Sequence, residues 1–252
     1  MKATLKYLAG IAGPSGYGSK TTAEQATRDF SNSSNSQLTA IITGATSGIG
    51  AETARVLAKR GVRIVLPARD LKKAEIVKEF IQKETPMAQI ILLEIDLSSF
   101  ASIQRFCAEF LSLQLPLHIL IYNGTRAYAQ SKLANILHAK ELSRQLKARN
   151  ANVTINAVHP GIVKTGIIRD HKGFITDSLY FMASKLLKST SQGAASTCYV
   201  ALSPQTEGMS GKYFADCNES HSSVLANDEI EAHKLWKGTR VLIYRRFLPH
   251  VN

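Results

Sequence analysis

Tyr128 and Lys132 form the pair of residues in this sequence that is best suited to proton transfer. On a helix, residues at positions i and i+4 lie on the same face. A nearby ammonium group lowers the pKa of a phenol, which can then exchange a proton with a carbonyl or an alcohol. Tyrosine and lysine are common enough here for such a pair to arise by chance, so the interpretation depends on its surroundings.

A glycine-rich stretch at residues 43–50 reads Thr-Gly-Ala-Thr-Ser-Gly-Ile-Gly and follows a short apolar run. Between a strand and a helix, glycines let the backbone turn sharply and approach a pyrophosphate. The first N–H groups of the helix then bind the anion. The glycine spacing differs from the Gly-x-Gly-x-x-Gly fingerprint, but the context predicts a dinucleotide site, with a ligand-free turn as the alternative.

The end of the second predicted strand, residues 62–66, indicates which dinucleotide is bound. An acidic residue there would accept a hydrogen bond from the ribose 2′-OH of NAD, whereas an arginine can pair with the 2′-phosphate of NADP. The sequence has Arg69 in this region, followed by Asp70. We therefore predict a preference for NADP(H), with a solvated surface arginine as the alternative.

Two further segments follow predicted strands. Asp96 and Leu97 come after a strand at 90–95, where they can flank an adenine, although Asp96 can equally cap a helix. Residues 160–165, which begin with Pro160 and Gly161, come after a later strand. They can close over a nicotinamide or form an ordinary strand-ending turn.

These motifs lie on a pattern of alternating strands and helices without an internal repeat. The predicted strands are residues 38–43, 62–66, 90–95, 117–121, 153–158 and 211–216. The predicted helices are residues 49–61, 71–84, 98–111, 128–147, 174–189, 192–202 and 223–244. Such alternation predicts an α/β fold of the Rossmann type, a doubly wound parallel sheet with helices on both faces.

The chain of 252 residues is predicted to form a single domain at 38–252, preceded by an N-terminal arm and flexible linker at 1–37. Residues 31–36 are all serine or asparagine, a composition typical of a linker. The three cysteines show no metal-ligand spacing, so we expect reduced thiols and no metal site. No apolar run approaches the length of a transmembrane helix.

The net charge of +12 is mostly dispersed, and no aromatic residues interleave with a basic run, so we expect no nucleic-acid partner. The C-terminal segment 234–248 is locally basic, and Trp236 and Phe247 are separated apolar residues within it. This pattern predicts binding to calmodulin or to an anionic membrane surface. The alternative is a terminal helix that packs on the sheet. The oligomeric state stays open.

From residue 38 to residue 216 the chain resembles the short-chain dehydrogenase/reductase family, and more narrowly its plant retinol-dehydrogenase-like branch. The narrower match rests on residues 39–50, 69–73, 128–137 and 211–217. The resemblance implies Tyr128 as the acid/base and Lys132 as the residue that holds the ribose and tunes Tyr128. It also implies a set of cofactor contacts: Gly44, Ser47, Gly48, Ile49, Gly50, Arg69, Asp96, Leu97, Asn123, Pro160, Gly161 and Thr165.

One departure from the family concerns the active site. The family has a helix with a catalytic Asn and a strand with a catalytic Ser before its Tyr, whereas here Asn123 and Gly124 are followed almost at once by Tyr128. One central helix and one strand are therefore missing, with the junction at 123–127. We expect the strand at 153–158 to pair in parallel with the strand at 117–121 instead.

By resemblance, the protein is an NADP(H)-dependent oxidoreductase of small apolar carbonyl or alcohol compounds. The missing segment predicts little or no turnover. The alternative is an NADP(H)-binding sensor or scaffold without catalysis. The same resemblance implies a peripheral location at the chloroplast inner envelope, with a cytoplasmic location as the alternative.

Overall fold

The structure, a computed structural model, describes residues 7–30, 33–121, 130–163 and 187–247. The helix predicted at 174–189 lies almost entirely outside these residues. Contacts divide the chain into two compact units. The first unit comprises Met1–Gly124, Pro160–Ser203 and Asp216–Asn218, and the second comprises Thr125–His159, Pro204–Ala215 and Glu219–Asn252.

The helices and strands alternate along the chain largely as the sequence predicts. The strands are β1 (Thr39–Ile42), β2 (Arg63–Ala68), β3 (Ile90–Glu94), β4 (Ile119–Ile121), β5 (Ala157–His159), β6 (Tyr213–Ala215) and β7 (Asn218–Glu219). The α-helices are α1 (Ala23–Ala26), α2 (Gly48–Lys59), α3 (Leu71–Glu84), α4 (Phe100–Ser112), α5 (Gln130–Ala148), α6 (Thr190–Leu202) and α7 (Glu229–Phe247).

Four strands of the first unit form a parallel sheet in the order β3-β2-β1-β4. β1 lies inside this sheet and pairs Ala40 with Ile64 of β2 and with Ile119 of β4. All four residues of β1 are buried, because helices cover both faces of a parallel sheet. The predicted Rossmann-type α/β fold is confirmed.

The helices of the first unit begin at the polar residues that cap them. Asp70 precedes α3 and accepts hydrogen bonds from the backbone N–H groups of Lys72 (3.1 Å) and Lys73 (3.2 Å). Ser99 caps α4 in the same manner. α2 ends before Gly61, whose φ of +89° lies in the region that favours glycine.

Part of the segment predicted as an N-terminal arm and flexible linker, residues 1–37, packs on other helices of the first unit. α1 packs on α6 and α2, and its residues Ala23 and Ala26 are fully buried. Arg60 donates a hydrogen bond to the hydroxyl of buried Thr27 at 3.0 Å. The small apolar side chains of α1 therefore pack closely against these helices, while the arm and linker stay a prediction. The domain boundary at residue 38 stays a prediction.

The predicted pairing of the strand at 153–158 with β4 is wrong. β5 pairs in parallel with β6, matching Val158 with Phe214, in a separate sheet of order β5-β6-β7. The N–H of Gly211 donates to the carbonyl of Ile155 at 2.7 Å, just before β5. The segment around β6 thus satisfies the backbone groups that we expected β4 to satisfy.

Two helices of the second unit, α5 and α7, pack against each other. Glu141 on α5 has a buried side chain that accepts a hydrogen bond from Arg144 at 2.6 Å and lies 3.0 Å from the His233 ring on α7. The rings of His138 and Trp236 are 5.0 Å apart. None of the helices in the described ranges combines the length and the apolar character needed to cross a membrane.

Candidate functional site

The turn between β1 and α2 is so tight that only glycine fits at its end. A Cβ atom on Gly50 would lie 2.3 Å from the carbonyl oxygen of Gly44 and 3.0 Å from the Cα of Ala45. Gly44 has a φ of +65°, which favours glycine. The N–H of Thr43 donates to the carbonyl of Ile121 at 2.9 Å and fixes the start of the turn. The backbone can therefore approach a ligand closely.

The first turn of α2 is open toward a ligand. Ser47 occupies the N-cap position, but its hydroxyl makes no capping hydrogen bond. Gly48 has a φ of +57°, and no described atom beyond its chain neighbours and the backbone of its own helix lies within 4 Å of the position that its Cβ would take. The first N–H groups of a helix have no partners within the helix, and the dipole there is positive. This geometry fits the pyrophosphate site that the sequence predicts.

Ile49 has a packing role beside its predicted role in the site. A Cβ atom on Gly193 of α6 would lie 3.3 Å from Cγ1 of Ile49 and 2.6 Å from Cγ2 of Val163. α6 therefore crosses close to the start of α2, and only a glycine fits at the crossing. We did not predict Gly193, although a glycine inside a helical pattern is a recognised signal of close packing.

Arg69 follows β2 directly and is exposed. Within the part of the chain that the structure describes, its guanidinium makes no hydrogen bond or salt bridge. The neighbouring carboxylate of Asp70 is engaged in capping α3 and lies 3.7 Å from the ammonium of Lys73. This end of β2 thus offers a cation to a ligand, while its nearest acidic residue already has partners.

Asp96 and Leu97 lie at the same edge of the sheet as Arg69, because β2 and β3 are parallel. The carboxylate of Asp96 accepts hydrogen bonds from the backbone N–H (2.9 Å) and the hydroxyl (2.7 Å) of Ser98. These hydrogen bonds lower the pKa of Asp96 below its usual value, and the charge of Arg69 lowers it further. Asp96 therefore braces the turn before α4, while the half-exposed Leu97 is accessible to a ligand.

The turn at Pro160 and Gly161 is held by the segment that precedes α6. Gly161 has a φ of +81°, and a Cβ atom on it would lie 2.9 Å from Cδ of Lys188. The backbone N–H of Lys188 donates to the carbonyl of Ile162 at 2.9 Å. Lys188 belongs to no motif that the sequence analysis identified.

The remaining predicted site residues are not placed by the structure. Asn123, Tyr128 and Thr165 lie outside the described residues. Lys132 is part of α5, but only its backbone is described. The residues predicted to contact the pyrophosphate, the 2′-phosphate and the adenine follow the carboxyl ends of three neighbouring strands, so they share one edge of the sheet. The acid/base pair stays a prediction.

A parallel sheet whose site residues follow the carboxyl ends of β1, β2 and β3, with a glycine turn opening α2, defines a Rossmann-type fold. The sequence profile of the family described as short chain dehydrogenase matches residues 38–127. Together with the sequence relatives described next, this match shows that the chain belongs to the short-chain dehydrogenase family.

The relatives include plant and animal dehydrogenases. "Short-chain dehydrogenase TIC 32 B, chloroplastic" of Brassica napus is 37% identical over 305 aligned positions, which cover 90% of this chain and 94% of the relative. Retinol dehydrogenase 12 of Bos taurus is 32% identical and covers 78% of this chain and 83% of its own. Both confirm the predicted resemblance to the retinol-dehydrogenase-like branch.

Solved structures confirm the fold. The crystal structure of YwfH, an NADPH dependent reductase involved in bacilysin biosynthesis, matches with a TM-score of 0.61 at 21% identity. The match covers 74% of this chain and 99% of that one.

Proposed function

We propose that this chain binds NADP(H) at the β1–α2 turn and catalyses, at a low rate, the interconversion of a small apolar carbonyl compound and its alcohol. The observation that carries the proposal is the turn itself, where Gly50 touches Gly44 and Gly48 borders open space. Such a turn brings backbone N–H groups to a pyrophosphate. When bound, NADP(H) supplies or accepts the hydride of the reaction.

The choice of NADP(H) over NAD(H) rests on Arg69. Its guanidinium is exposed, and Asp70 is engaged as the cap of α3. A guanidinium binds a phosphate group through charge-assisted hydrogen bonds that a ribose hydroxyl does not offer. The likeness to an NADPH dependent reductase agrees with this choice.

The low rate follows from the shortened segment after β4. The alignment with the Brassica relative spans 305 positions, more than the 252 residues of this chain, so the relative contains residues that this chain lacks. The family profile also stops at residue 127, directly before Tyr128. Both observations support the loss of the helix and strand that carry the family's Asn and Ser. Tyr128 and Lys132 remain to move the proton.

A sensor or scaffold is the second candidate function, and the same observations favour it. The β1–α2 turn needs only β1, α2 and the strands beside them, all of which are present. The missing segment would instead have carried the Asn and the Ser of the family's active site, so its loss affects turnover. A protein of this kind would bind NADP(H) and change its contacts with partners, without turning over a substrate.

One experiment separates these candidates. The full chain is titrated with NADPH while the nicotinamide fluorescence is followed, and is then assayed for reduction of an apolar aldehyde. Binding with slow turnover supports the oxidoreductase, and binding without turnover supports the sensor or scaffold. An absence of binding would reject both.

We further propose that α7 binds calmodulin. Leu242 and Tyr244 on this helix are 66% and 56% exposed, and Arg240 and Arg245 lie close to them in the sequence. A basic helix with exposed apolar residues is a common calmodulin target. The helix also packs on α5 through Trp236 and His138, so binding would require it to loosen from α5.

The chain contains a single tryptophan, Trp236, so the tryptophan fluorescence of the full-length protein reports on α7 directly. Calmodulin should shift this fluorescence in the presence of calcium and leave it unchanged when calcium is chelated. If calmodulin has no effect and vesicles of anionic lipid do, the helix binds membrane surfaces instead.

We also propose that the protein lies peripherally at the chloroplast inner envelope. The likeness to a chloroplastic dehydrogenase supports the organelle, and the basic α7 suits contact with anionic lipids. A fluorescently tagged full-length chain should mark the envelope. Fluorescence in the cytosol would favour the cytoplasmic alternative.

A further inference from the structure

Lys188 is a buried lysine outside every motif of the proposed cofactor site. Its side chain is 4% exposed and forms an ion pair with Asp216. Lysine is rarely buried unless it is paired, and removing two charges from water is costly. The position of this pair therefore calls for an explanation.

Asp216 is presented to Lys188 by a tight two-residue turn between β6 and β7. Asp216 and Cys217 form this turn with φ values of +51° and +63°. Turns with two positive φ angles strongly prefer asparagine, aspartate and glycine, and a cysteine there is unusual. The N–H of Cys217 donates to the hydroxyl of Ser196 at 2.9 Å, which holds the turn against α6. The turn thus fixes the Asp216 carboxylate beside Lys188.

Lys188 in turn supports the segment at residues 160–163. A Cβ atom on Gly161 would lie 2.9 Å from Cδ and 3.0 Å from Cε of Lys188, so the lysine side chain lies directly against this glycine. The backbone of Lys188 donates to the carbonyl of Ile162 and forms a parallel bridge with Val163. The segment is therefore held by both the side chain and the backbone of one residue.

The N-terminal arm meets the same group of residues. The ammonium of Lys188 lies 5.9 Å from the centre of the Tyr7 ring, within the range of a cation–π contact. Asn218, which follows the turn, accepts a hydrogen bond from the N–H of Ser15 (2.9 Å) and donates one to the carbonyl of Tyr17 (3.0 Å). The arm thus contacts both Lys188 and the residue that follows the turn.

We infer that the Lys188–Asp216 ion pair is a positioning device that holds residues 160–163 against the nicotinamide half of the bound cofactor. This inference rests on the proposed binding of NADP(H). Neither residue contacts the pyrophosphate turn or Arg69 through any hydrogen bond or ion pair that the described residues form. Because residues 160–163 are predicted to lie beside the nicotinamide, we expect the pair to affect that half of the cofactor and to leave the adenine half unchanged.

The test compares two ligands, NADPH and adenosine 2′,5′-bisphosphate, which lacks the nicotinamide. In the Lys188→Met variant, the affinity for NADPH should fall by about tenfold, the factor that corresponds to roughly one hydrogen bond. The affinity for adenosine 2′,5′-bisphosphate should stay unchanged. Lys188→Arg, which keeps the charge, should retain most of the NADPH affinity.

The matched control is Lys212→Met. Lys212 lies on the same hairpin and pairs with Glu219 at 2.7 Å, but both side chains are about half exposed. This variant should change neither affinity. An equal loss of affinity for both ligands in Lys188→Met would show a merely structural role and overturn the inference. An unchanged affinity of this variant for NADPH would overturn it as well.

Hydrogen exchange in the ligand-free protein keeps the inference separate from the proposed function. If the wild type binds neither ligand, the proposed function fails. The hydrogen exchange of residues 160–163 then decides whether the ion pair supports this segment. Faster exchange in Lys188→Met than in Lys212→Met supports the ion pair as the support of this segment, and equal exchange overturns it. If Lys188→Met does not fold, Lys188→Met/Asp216→Asn removes both charges and is measured in the same way.

Discussion

Gly50 lies so close to Gly44 that a Cβ atom on Gly50 would stand 2.3 Å from the Gly44 carbonyl oxygen. Because this carbonyl oxygen belongs to the backbone, no side-chain rotation can relieve the contact. The start of α2 can therefore keep its place only while residue 50 is glycine.

Gly50→Ala should lower the free energy of unfolding by roughly 1–3 kcal/mol, the usual cost of overpacking. It should also weaken NADPH binding, because the turn has to open. Gly238 provides the control, since it is also a helical glycine but has no described atom beyond its own helix and neighbours within 4 Å of its Cβ position. Gly238→Ala should raise stability by about 0.5–1 kcal/mol. Denaturant titrations of both variants measure the difference, and shifts of the same sign would contradict it.

Arg69→Ala should weaken NADPH binding by about 1.5–3 kcal/mol, the value of a hydrogen bond to a charged group. Binding of NADH, which has no 2′-phosphate, should change little. Arg105→Ala, at another exposed arginine, on α4, controls for the loss of one positive charge from the surface. Affinities are measured by nicotinamide fluorescence. Equal affinities of the wild type for NADPH and NADH would rule out this role of Arg69.

Acid should loosen α1 from the rest of the first unit. Hydrogen bonds from Arg55 and then from Lys59 lower the pKa of the Glu24 carboxyl below its ordinary value of 4.5. Because this pKa is lower in the folded state, the interaction stabilises the fold above about pH 4.5 and is lost as the pH falls below it. The side chain of Glu24 is partly exposed to solvent, so its ion pairs contribute only about 0.2–1 kcal/mol to the free energy of unfolding.

Glu24→Gln should therefore speed the hydrogen exchange of residues 23–27 at neutral pH and reduce its further increase in acid. Glu75→Gln is the matched control, because Glu75 on α3 pairs only with Lys78 of the same helix among the described residues. If the two variants exchange alike at both pH values, Glu24 does not hold α1 in place.

The sequence predicts local structure in this chain better than long-range pairing. The helix predicted at 71–84 is observed with the same bounds. Its start depends on a local signal, because the side chain of Asp70 caps the first turn of the helix. The partner of β5 was predicted wrongly, since both β4 and β6 are compatible with a parallel strand and nothing local distinguishes them. Lys188 was missed for a similar reason, because its partner Asp216 is distant in the sequence and no motif joins them.

Tyr128 and Lys132 are four residues apart in the sequence. Under the proposed loss of the segment before them, the chain would keep its predicted proton donor without the family's Asn and Ser. Loss of one donor to a developing oxyanion costs a factor of about 10²–10³ in rate. We expect aldehyde reduction by this chain to be slower than in a relative that has the Asn and the Ser by at least that factor. A comparable rate would contradict the proposed loss of these two residues.

The residual rate should depend on Tyr128 if it is enzymatic. Tyr128→Phe removes the proton donor but keeps the ring, so turnover should fall to the rate without enzyme while NADPH affinity stays the same within about twofold. Lys132→Met should lower both quantities, because the ammonium is predicted to hold the ribose as well as to tune the phenol. Single-turnover assays with bound NADPH separate the two effects. An unchanged rate in Tyr128→Phe would show that the proton comes from elsewhere, and would leave the sensor or scaffold as the better account of this chain.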